Sequence, residues 1–156
     1  TMQGAAVGGP GTLPTNWAEV GNHGLSRQVV GTGTEDGIEY IDIRFYGTVA
    51  ATPQPEVTIN FDSGTATAGA GGQKWVSSAF VRVVGGSLAN VTSGEQFILG
   101  FKGTSMTEAN SRAFSFSSSA LKLNRQVHEY TLKNAETVSL LSRVDINFAS
   151  FGGVPV

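Results

Sequence analysis

The sequence predicts an all-β fold: a two-sheet antiparallel β-sandwich of the jelly-roll type with eight or nine strands. Short runs rich in Val, Ile, Phe and Thr alternate apolar and polar residues, which is the period of a half-buried strand. Glycine accounts for 21 of the 156 residues, and turn signals separate the runs. Charged residues make up only 14% of the chain, and apolar stripes of helical period are missing. We therefore expect residues 1–156 to form a single β-sandwich domain.

The N-terminal third begins with a Gly- and Pro-rich segment that ends at Trp17. A short first strand is predicted over residues 2–7, before the prolines interrupt regular structure. A second strand is predicted over residues 25–30. Residues 31–37 are expected to form a hairpin connection, because Asp36-Gly37 is a strong signal for a hairpin turn.

The clearest strand follows this turn and covers residues 37–47. Its side chains alternate between two faces of a sheet almost without error. The apolar face consists of Ile41, Ile43 and Phe45. The other face consists of Tyr40, Asp42, Arg44 and Tyr46, and we call these four residues the tyrosine row. The apolar face is expected to lie in the core.

The remaining strands are shorter and more ordinary in composition. They are predicted over residues 57–62, 74–84, 95–102, 113–120, 126–133 and 138–148. Residues 63–72 are expected to form a loop of small residues, and residues 88–91 a turn segment. The only helical structure that we expect is a short turn near residues 107–110 or near Ala135.

A family resemblance covers most of the chain, from Thr1 to about Phe148. It is carried by the N-terminal segment TMQGAAVGGPGTLPTNW, by Gly24-Leu25, and by the segments VVGTGTEDGIEYIDIRFYGT and QKWVSSAFVRVVGGSLANVTS. Together they resemble a recurring region of tailed-phage virion proteins of the tail-fibre or head-spike type. Those regions are similar to the jelly-roll carbohydrate-binding modules found beside glycoside hydrolases. The resemblance implies a sugar-binding or virion-surface role.

One departure from the resembled sequences concerns the C-terminus. In those sequences the last strand is followed by another strand and a Pro-containing end, whereas this chain stops at FGGVPV. We expect the sandwich either to lack its final strand or to receive that strand from another chain. A free sheet edge of this kind favours pairing with a neighbouring subunit.

The tyrosine row is the first candidate for a ligand site. Tyrosine rings stack on the C–H face of a sugar, and charged side chains make strong hydrogen bonds to hydroxyl groups. Neighbouring strands are expected to extend the patch with outward side chains, namely Phe80, Arg82, Arg143, Asp145 and Asn147. Two other interpretations stay open. The row can be covered by another virion subunit, or it can be a plain surface of cross-strand charge pairs.

The tryptophans and histidines are expected to have structural roles. Trp75 shares its face with apolar residues of its strand, so it is predicted to lie in the core. Trp17 ends the Pro-rich loop and is predicted to anchor that loop on the sandwich. His23 and His128 are far apart in sequence and near no cysteine, which favours a packed or surface histidine over a metal ligand or catalytic base.

Catalysis is not expected from this sequence. Glu35 and Asp36 are adjacent in a turn, so they are not expected to face each other across a substrate as glycosidase carboxylates do. The chain has no G-x-S-x-G elbow and no HExxH motif. A structural calcium ion is the only cofactor considered, because the resembled modules often hold one. The candidate oxygen donors are Glu35, Asp36, Asp62 and Glu95, but no D-x-D-x-D run supports a metal site.

The composition of the chain limits the classes of partner that it is expected to bind. The formal net charge is −2 and basic clusters are missing, which argues against nucleic acid. No apolar run is long enough for membrane insertion, and the absence of cysteine excludes disulfides. The leading hypothesis is a non-catalytic module, at a virion surface or extracellular, that binds a host glycan. The alternative is a structural fibre, spike or head-decoration protein that forms a homo-oligomer or contacts other virion subunits. A third reading is an accessory domain of a polysaccharide hydrolase.

Overall fold

A computed structural model describes residues 1–63 and 67–149. Within that part of the chain the structure is almost entirely antiparallel β-sheet, so the predicted all-β class is confirmed. The strands are β1 (Ala18–Gly21), β2 (Ser26–Glu35), β3 (Ile38–Tyr46), β4 (Glu56–Phe61), β5 (Thr67–Ala68), β6 (Lys74–Phe80), β7 (Val91–Lys102), β8 (Ser105–Phe114), β9 (Arg125–Thr131) and β10 (Ser139–Phe148). One 3-10 helix spans Leu121–Leu123. No helix among the described residues is long and apolar enough to cross a membrane.

Six strands form the largest sheet, in the order β1-β4-β10-β7-β8, with β5 also pairing with β10. The other strands form two separate pairs, β2–β3 and β6–β9. Within the described residues, no strand of one pair forms a backbone hydrogen-bond ladder with a strand of the other pair. The predicted two-sheet jelly-roll is therefore not confirmed in detail, although every pairing is antiparallel as expected.

Both small sheets pack on the same face of the large sheet. Ile59 lies opposite Val144, and Val144 lies opposite Gln96, so the core residues of β4, β10 and β7 share that face. One core cluster packs β3 against this face through Phe45. Its other members are Leu25, Val49, Val57, Ile59 and Phe148, with Trp17. A second core cluster packs β6 and β9 against the same face through Trp75 and Tyr130. Its other members are Ile98, Leu132 and Leu140. Burial of each large apolar side chain contributes about 1.5–3 kcal/mol to this packing.

The N-terminal segment is not the strand predicted over residues 2–7. Only isolated bridges form there, between Ala6 and Thr12 and between Gly8 and Val29. Glycine and proline in the segment prevent a continuous ladder, since proline has no N–H to donate. The segment instead folds back on itself and lies beside β2, where Gly8 and Val29 exchange two backbone hydrogen bonds of 3.0 Å.

The prediction between residues 103 and 120 was wrong. The expected helical turn at residues 107–110 lies inside β8, and the strand expected over residues 113–120 ends at Phe114. Among residues 1–63 and 67–149, β8 pairs only with β7 and forms the edge of the large sheet. Most of its side chains are exposed, so the sequence carries too little apolar alternation to identify it as a strand. The 3-10 helix at Leu121–Leu123 was not predicted.

Other strand ends moved by a few residues. β2 continues through residues 31–35, which were predicted to be a connection, while the turn itself lies at Asp36-Gly37 as expected. Asp36 has a φ of 51° and Gly37 a φ of 81°, as a type I′ hairpin turn requires. β6 ends at Phe80, four residues earlier than predicted. The predicted loop at residues 63–72 includes β5, but residues 64–66 and the C-terminal residues from 150 onward lie outside the described part of the chain.

The carboxylate of Glu108 on β8 holds the loop between β9 and β10. It accepts hydrogen bonds from the Tyr130 hydroxyl at 3.1 Å, the Lys133 amide at 2.9 Å and the Thr137 hydroxyl at 2.6 Å. Burial acts to raise the pKa of Glu108, but these hydrogen bonds outweigh it and hold that pKa below its usual range. The loop is therefore fixed by one charged side chain from a neighbouring edge strand.

Candidate functional site

The tyrosine row lies on one face of β3, as the alternation predicts. Across the hairpin, Gly33 pairs with Tyr40 and Gly31 pairs with Asp42. A Cβ atom at Gly33 would lie only 2.8 Å from the Tyr40 hydroxyl oxygen, and one at Gly31 would lie 3.0 Å from Asp42 Oδ2. The two glycines therefore leave the space in which Tyr40 and Asp42 lie flat across β2. The alternation of β3 does not by itself reveal this role of the two glycines. Counting residue pairs outward from the Asp36-Gly37 turn does give the pairs Gly33–Tyr40 and Gly31–Asp42.

Arg44 and Tyr46 form the open end of the row. Both residues are exposed, and 40% of the Tyr46 surface is accessible to solvent. The Arg44 guanidinium carbon lies 5.1 Å from the centroid of the Tyr46 ring, which is the distance of a cation–π contact. This pair offers a ring face and hydrogen-bond donors at the same place on the surface.

The end of the row formed by Tyr40 and Asp42 is called the closed end. Arg82 approaches it from the segment that follows β6. Its guanidinium donates two hydrogen bonds to the Glu35 carboxylate, at 2.9 and 2.6 Å. The Leu121 amide donates a third, at 2.9 Å to Glu35 Oε1. The backbone hydrogen bond from Leu121 and those from Arg82 hold the pKa of Glu35 below its usual range. Arg82 thus lies near Asp42 and Glu35, but two of its donors are already used.

Asp42 lies between the two ends and is partly buried. Burial raises the pKa of its carboxyl group above the usual value, while the nearby positive charge of Arg82 opposes this shift. A ligand hydroxyl that donates to Asp42 would restore some of the solvation that this carboxylate has lost. The row therefore has two aromatic rings, one partly desolvated acceptor and one exposed guanidinium.

The structure places Arg143 and Asn147 elsewhere. They lie on β10, which belongs to the large sheet, so they do not extend the row through hydrogen-bonded neighbours of β3. Their side chains share the face of the large sheet opposite the core. The Arg143 guanidinium lies 4.3 Å from the Phe97 ring centroid and 2.8 Å from Asp145 Oδ2. The Asn147 amide donates to Ser93 Oγ at 3.1 Å and to Glu95 Oε2 at 3.4 Å.

Asp145 is the centre of this second polar face. Its exposed fraction is 0%, and burial raises its pKa to about 6, although the Arg143 charge and a hydrogen bond from Thr58 act in the opposite direction. Glu56 and Glu95 add negative charge near it and raise the pKa further. Arg143 and Asp145 thus form a tight ion pair within this face, with Nη2 and Oδ2 2.8 Å apart.

Phe80 lies on the outward face of β6, opposite Arg125 on β9, and 38% of its surface is exposed.

The two tryptophans have the structural roles that the sequence predicts. Trp75 packs against the core cluster of Ile98, Leu132 and Leu140, and the Trp17 ring centroid lies 4.6 Å from that of Phe61. His128 is buried, and burial lowers its pKa.

The suggested calcium donors are engaged in other contacts. Glu35 is bound to Arg82, Asp36 forms an ion pair of 2.9 Å with Lys122, and Glu95 accepts a hydrogen bond from Asn147. Over residues 1–63 and 67–149, no three His, Asp or Glu side chains are grouped so that they could hold a metal ion.

No protein-family model, curated protein or solved structure matches this chain. The resemblance to tailed-phage virion regions and carbohydrate-binding modules therefore stays a prediction from the sequence.

Proposed function

We propose that this chain is a non-catalytic carbohydrate-binding domain of a phage or phage-like particle, displayed at the virion surface, that binds a host glycan. The observation that carries the proposal is the tyrosine row: two tyrosines, a carboxylate and a guanidinium follow one another on the face of β3 that points away from Phe45 and the core. We also propose that β2–β3 and β6–β9 constitute the second layer of a jelly-roll sandwich.

In this proposal three members of the row contact the ligand. The exposed Tyr46 ring stacks on the C–H face of a sugar, and the Arg44 guanidinium beside it donates hydrogen bonds to hydroxyl groups. Asp42 accepts a hydrogen bond from the next hydroxyl. An open surface of this kind gives modest affinity, on the order of micromolar to millimolar or roughly −8 to −4 kcal/mol. Display of many copies on a particle raises the avidity without new contacts.

A glycan array, followed by isothermal titration with any hit, tests the proposal. Tyr46→Ala and Arg44→Ala should weaken binding by about tenfold or more, which corresponds to about 1.4 kcal/mol. Arg125→Ala is the matched control, because Arg125 is also exposed on a strand but lies on β9. An array without any signal, or equal losses in all three variants, would contradict the proposal.

The second candidate is a structural virion protein that assembles through exposed surfaces. A specific observation favours it: two exposed apolar residues, Met106 and Val138, flank Phe101 at one end of the large sheet. Met106 pairs with Phe101, and the Val138 amide donates to the Phe101 carbonyl at 2.9 Å. The exposed fractions of Met106 and Val138 are 60% and 55%. Light scattering after size exclusion tests this candidate, since a strict monomer at high concentration would count against obligate assembly.

A further inference from the structure

The strand β8 leaves one edge of the large sheet open to a further strand. In the part of the chain that the structure describes, β8 pairs with β7 alone, and most of its side chains are exposed. An edge strand presents backbone N–H and C=O groups along the side that has no neighbour, and a strand of another chain can pair with them. The edge of β8 is therefore a candidate interaction surface, and it lies on a different sheet from the tyrosine row.

The opposite edge of the large sheet is less suited to such pairing. β1 has only four residues, and its register with β4 shifts between Glu19 and Gly21. An ion pair of 3.2 Å between Glu19 and Arg27 also joins β1 to β2. Short length and an irregular register are two of the ways in which sheet edges avoid pairing. β8 is longer, and its register with β7 is regular from Glu108 to Phe114.

The charges of β8 select one register for pairing with a copy of itself. Glu108 and Arg112 are its only charged residues, and their side chains share one face. In an antiparallel pair with a two-fold axis perpendicular to the sheet, each residue meets a residue of the same face. A centre at Glu108 or at Arg112 would place like charges opposite each other, which is unfavourable. A centre at Ala109 or Ser111 would place Asn110 opposite one of the two charges. Only a centre at Asn110 places Glu108 opposite Arg112.

We propose that a second copy of this chain pairs with β8 in antiparallel orientation, with the two-fold axis at Asn110. This register forms the Glu108–Arg112 charge pair twice, once on each side of the axis. Ala109 and Ser111 are small and exposed, and they lie opposite each other on the other face, which leaves room for close approach. The proposal follows from β8 alone and does not depend on the function proposed for the tyrosine row.

The groups at the centre of this register can keep their present contacts. Arg112 is exposed and its Nη1 donates to the Val127 carbonyl at 2.8 Å, but a guanidinium has five N–H donors, so others can meet a carboxylate. The His128 ring hydrogen-bonds to the Asn110 backbone. A carbonyl oxygen has a second lone pair, which can accept the amide of a partner strand. The loop contacts of Glu108 hold its pKa low, so its carboxylate keeps the negative charge that attracts Arg112.

Sedimentation equilibrium tests for the dimer. A short edge pair buries less than the ~1,200 Å² at the low end of stable interfaces, so we expect a dissociation constant on the order of 10–100 μM. Arg112→Glu brings two carboxylates together on each side of the axis and should raise this constant by at least about tenfold. Arg44→Glu makes the same change of charge at an exposed position of β3 and is the matched control. It should associate as the wild type does.

Disulfide trapping tests the register. The chain has no cysteine, so an introduced cysteine reports one position. Ala109 of one copy lies directly opposite Ser111 of the other, at a Cβ separation of about 4.5–5.5 Å, which a disulfide can bridge with a small adjustment. Oxidation of an equimolar mixture of Ala109→Cys and Ser111→Cys should therefore give a mixed disulfide dimer. The matched control is a mixture of Ala113→Cys and Ser111→Cys, whose positions are about 13 Å out of register, and its yield should be at least about tenfold lower.

Three results would overturn the proposal. The first is a wild-type chain that stays monomeric up to a concentration of about 1 mM. The second is an equal yield of mixed disulfide in the two mixtures, which would indicate random collision or another register. The third is a larger loss of association in Arg44→Glu than in Arg112→Glu, which would place the interface at the tyrosine row. A glycan array without any signal would contradict the proposed function and leave the β8 dimer standing.

Discussion

Arg82 and Glu35 form a two-point ion pair, with distances of 2.9 and 2.6 Å, between residues 47 apart in sequence. The pair connects the tip of the β2–β3 hairpin to the segment that follows β6, and the Leu121 amide adds the 3-10 helix to the same carboxylate. One side chain at the end of β2 thus connects three separate parts of the chain. It also sets the position of the closed end of the tyrosine row, because Glu35 pairs with Ile38 at the start of β3.

Removal of this pair should loosen the hairpin. Arg82→Ala and Glu35→Gln are expected to lower the midpoint of urea unfolding and to speed hydrogen exchange at Ile38 and Tyr40. Because the pKa of Glu35 is lowered in the folded state, its contribution is present above the unfolded pKa and is lost as the pH falls through the folded pKa. Lys122→Ala is the control, since the exposed Lys122–Asp36 pair should contribute little. Equal effects of Lys122→Ala and Arg82→Ala would contradict this role.

Asp145 should make the protein less stable as the pH rises. Its pKa is raised from 3.8 to about 6, so the folded state holds the proton more tightly, and stability is lost as the pH rises from about 4 to about 6. A shift of this size corresponds to roughly 3 kcal/mol. Arg143, Thr58, Glu56 and Glu95 surround the carboxyl group.

Asp145→Asn keeps the shape of the side chain and removes the titration. Urea unfolding at pH 4.5 and pH 7.5 should show a smaller difference in the free energy of unfolding for this variant than for the wild type. Glu136→Gln, which alters only the exposed ion pair with Lys102, is the control and should keep the wild-type difference. An unaltered pH dependence in Asp145→Asn would show that other groups determine it.

Glu108→Ala should destabilise the loop between β9 and β10. The variant leaves the Thr137 hydroxyl and the Lys133 and Asn134 amides without this acceptor. We therefore expect the free energy of unfolding to fall by about 2–3 kcal/mol. Hydrogen exchange should rise most at residues 133–137. Glu136→Ala, which removes only the exposed pair with Lys102, should cost less than about 1 kcal/mol. Similar losses in both variants would mean that Glu108 has no special role.

Gly33→Ala should displace the Tyr40 ring. The new methyl group would lie 2.8 Å from the hydroxyl oxygen and 2.9 Å from Cζ of Tyr40, so the ring must move. We expect a change in the aromatic NMR signals of Tyr40 and weaker binding of any glycan on the tyrosine row. Gly85→Ala is the matched control, because a Cβ atom there meets nothing within 4 Å. Unchanged Tyr40 signals in Gly33→Ala would show that the ring does not lie over β2.

Local features of the sequence were sufficient for the hairpin turn and for β3, although β2 continues through residues 31–35, which were predicted to be a connection. The Asp36-Gly37 turn and the alternation of β3 determine which residues form the row. On the apolar face, Phe45 packs against a core cluster, while Ile41 and Ile43 are half-buried and belong to neither core cluster. The same logic predicted Trp75 in the core and Trp17 as a loop anchor. It failed at β8, whose exposed edge position leaves no apolar pattern to recognise, and at residues 2–7, where backbone bridges replace a strand.

The sequence by itself determined the all-β class, the β2–β3 turn and the two faces of β3, because steric alternation and turn geometry act between residues close along the chain. Only the tertiary structure decided that β10 belongs to a different sheet from β3, that Arg82 meets Glu35, and that Arg27 pairs with Glu19. These contacts depend on how separate hairpins pack on one core face. That packing is set by buried surface and hydrogen bonding between distant segments, which no local pattern specifies.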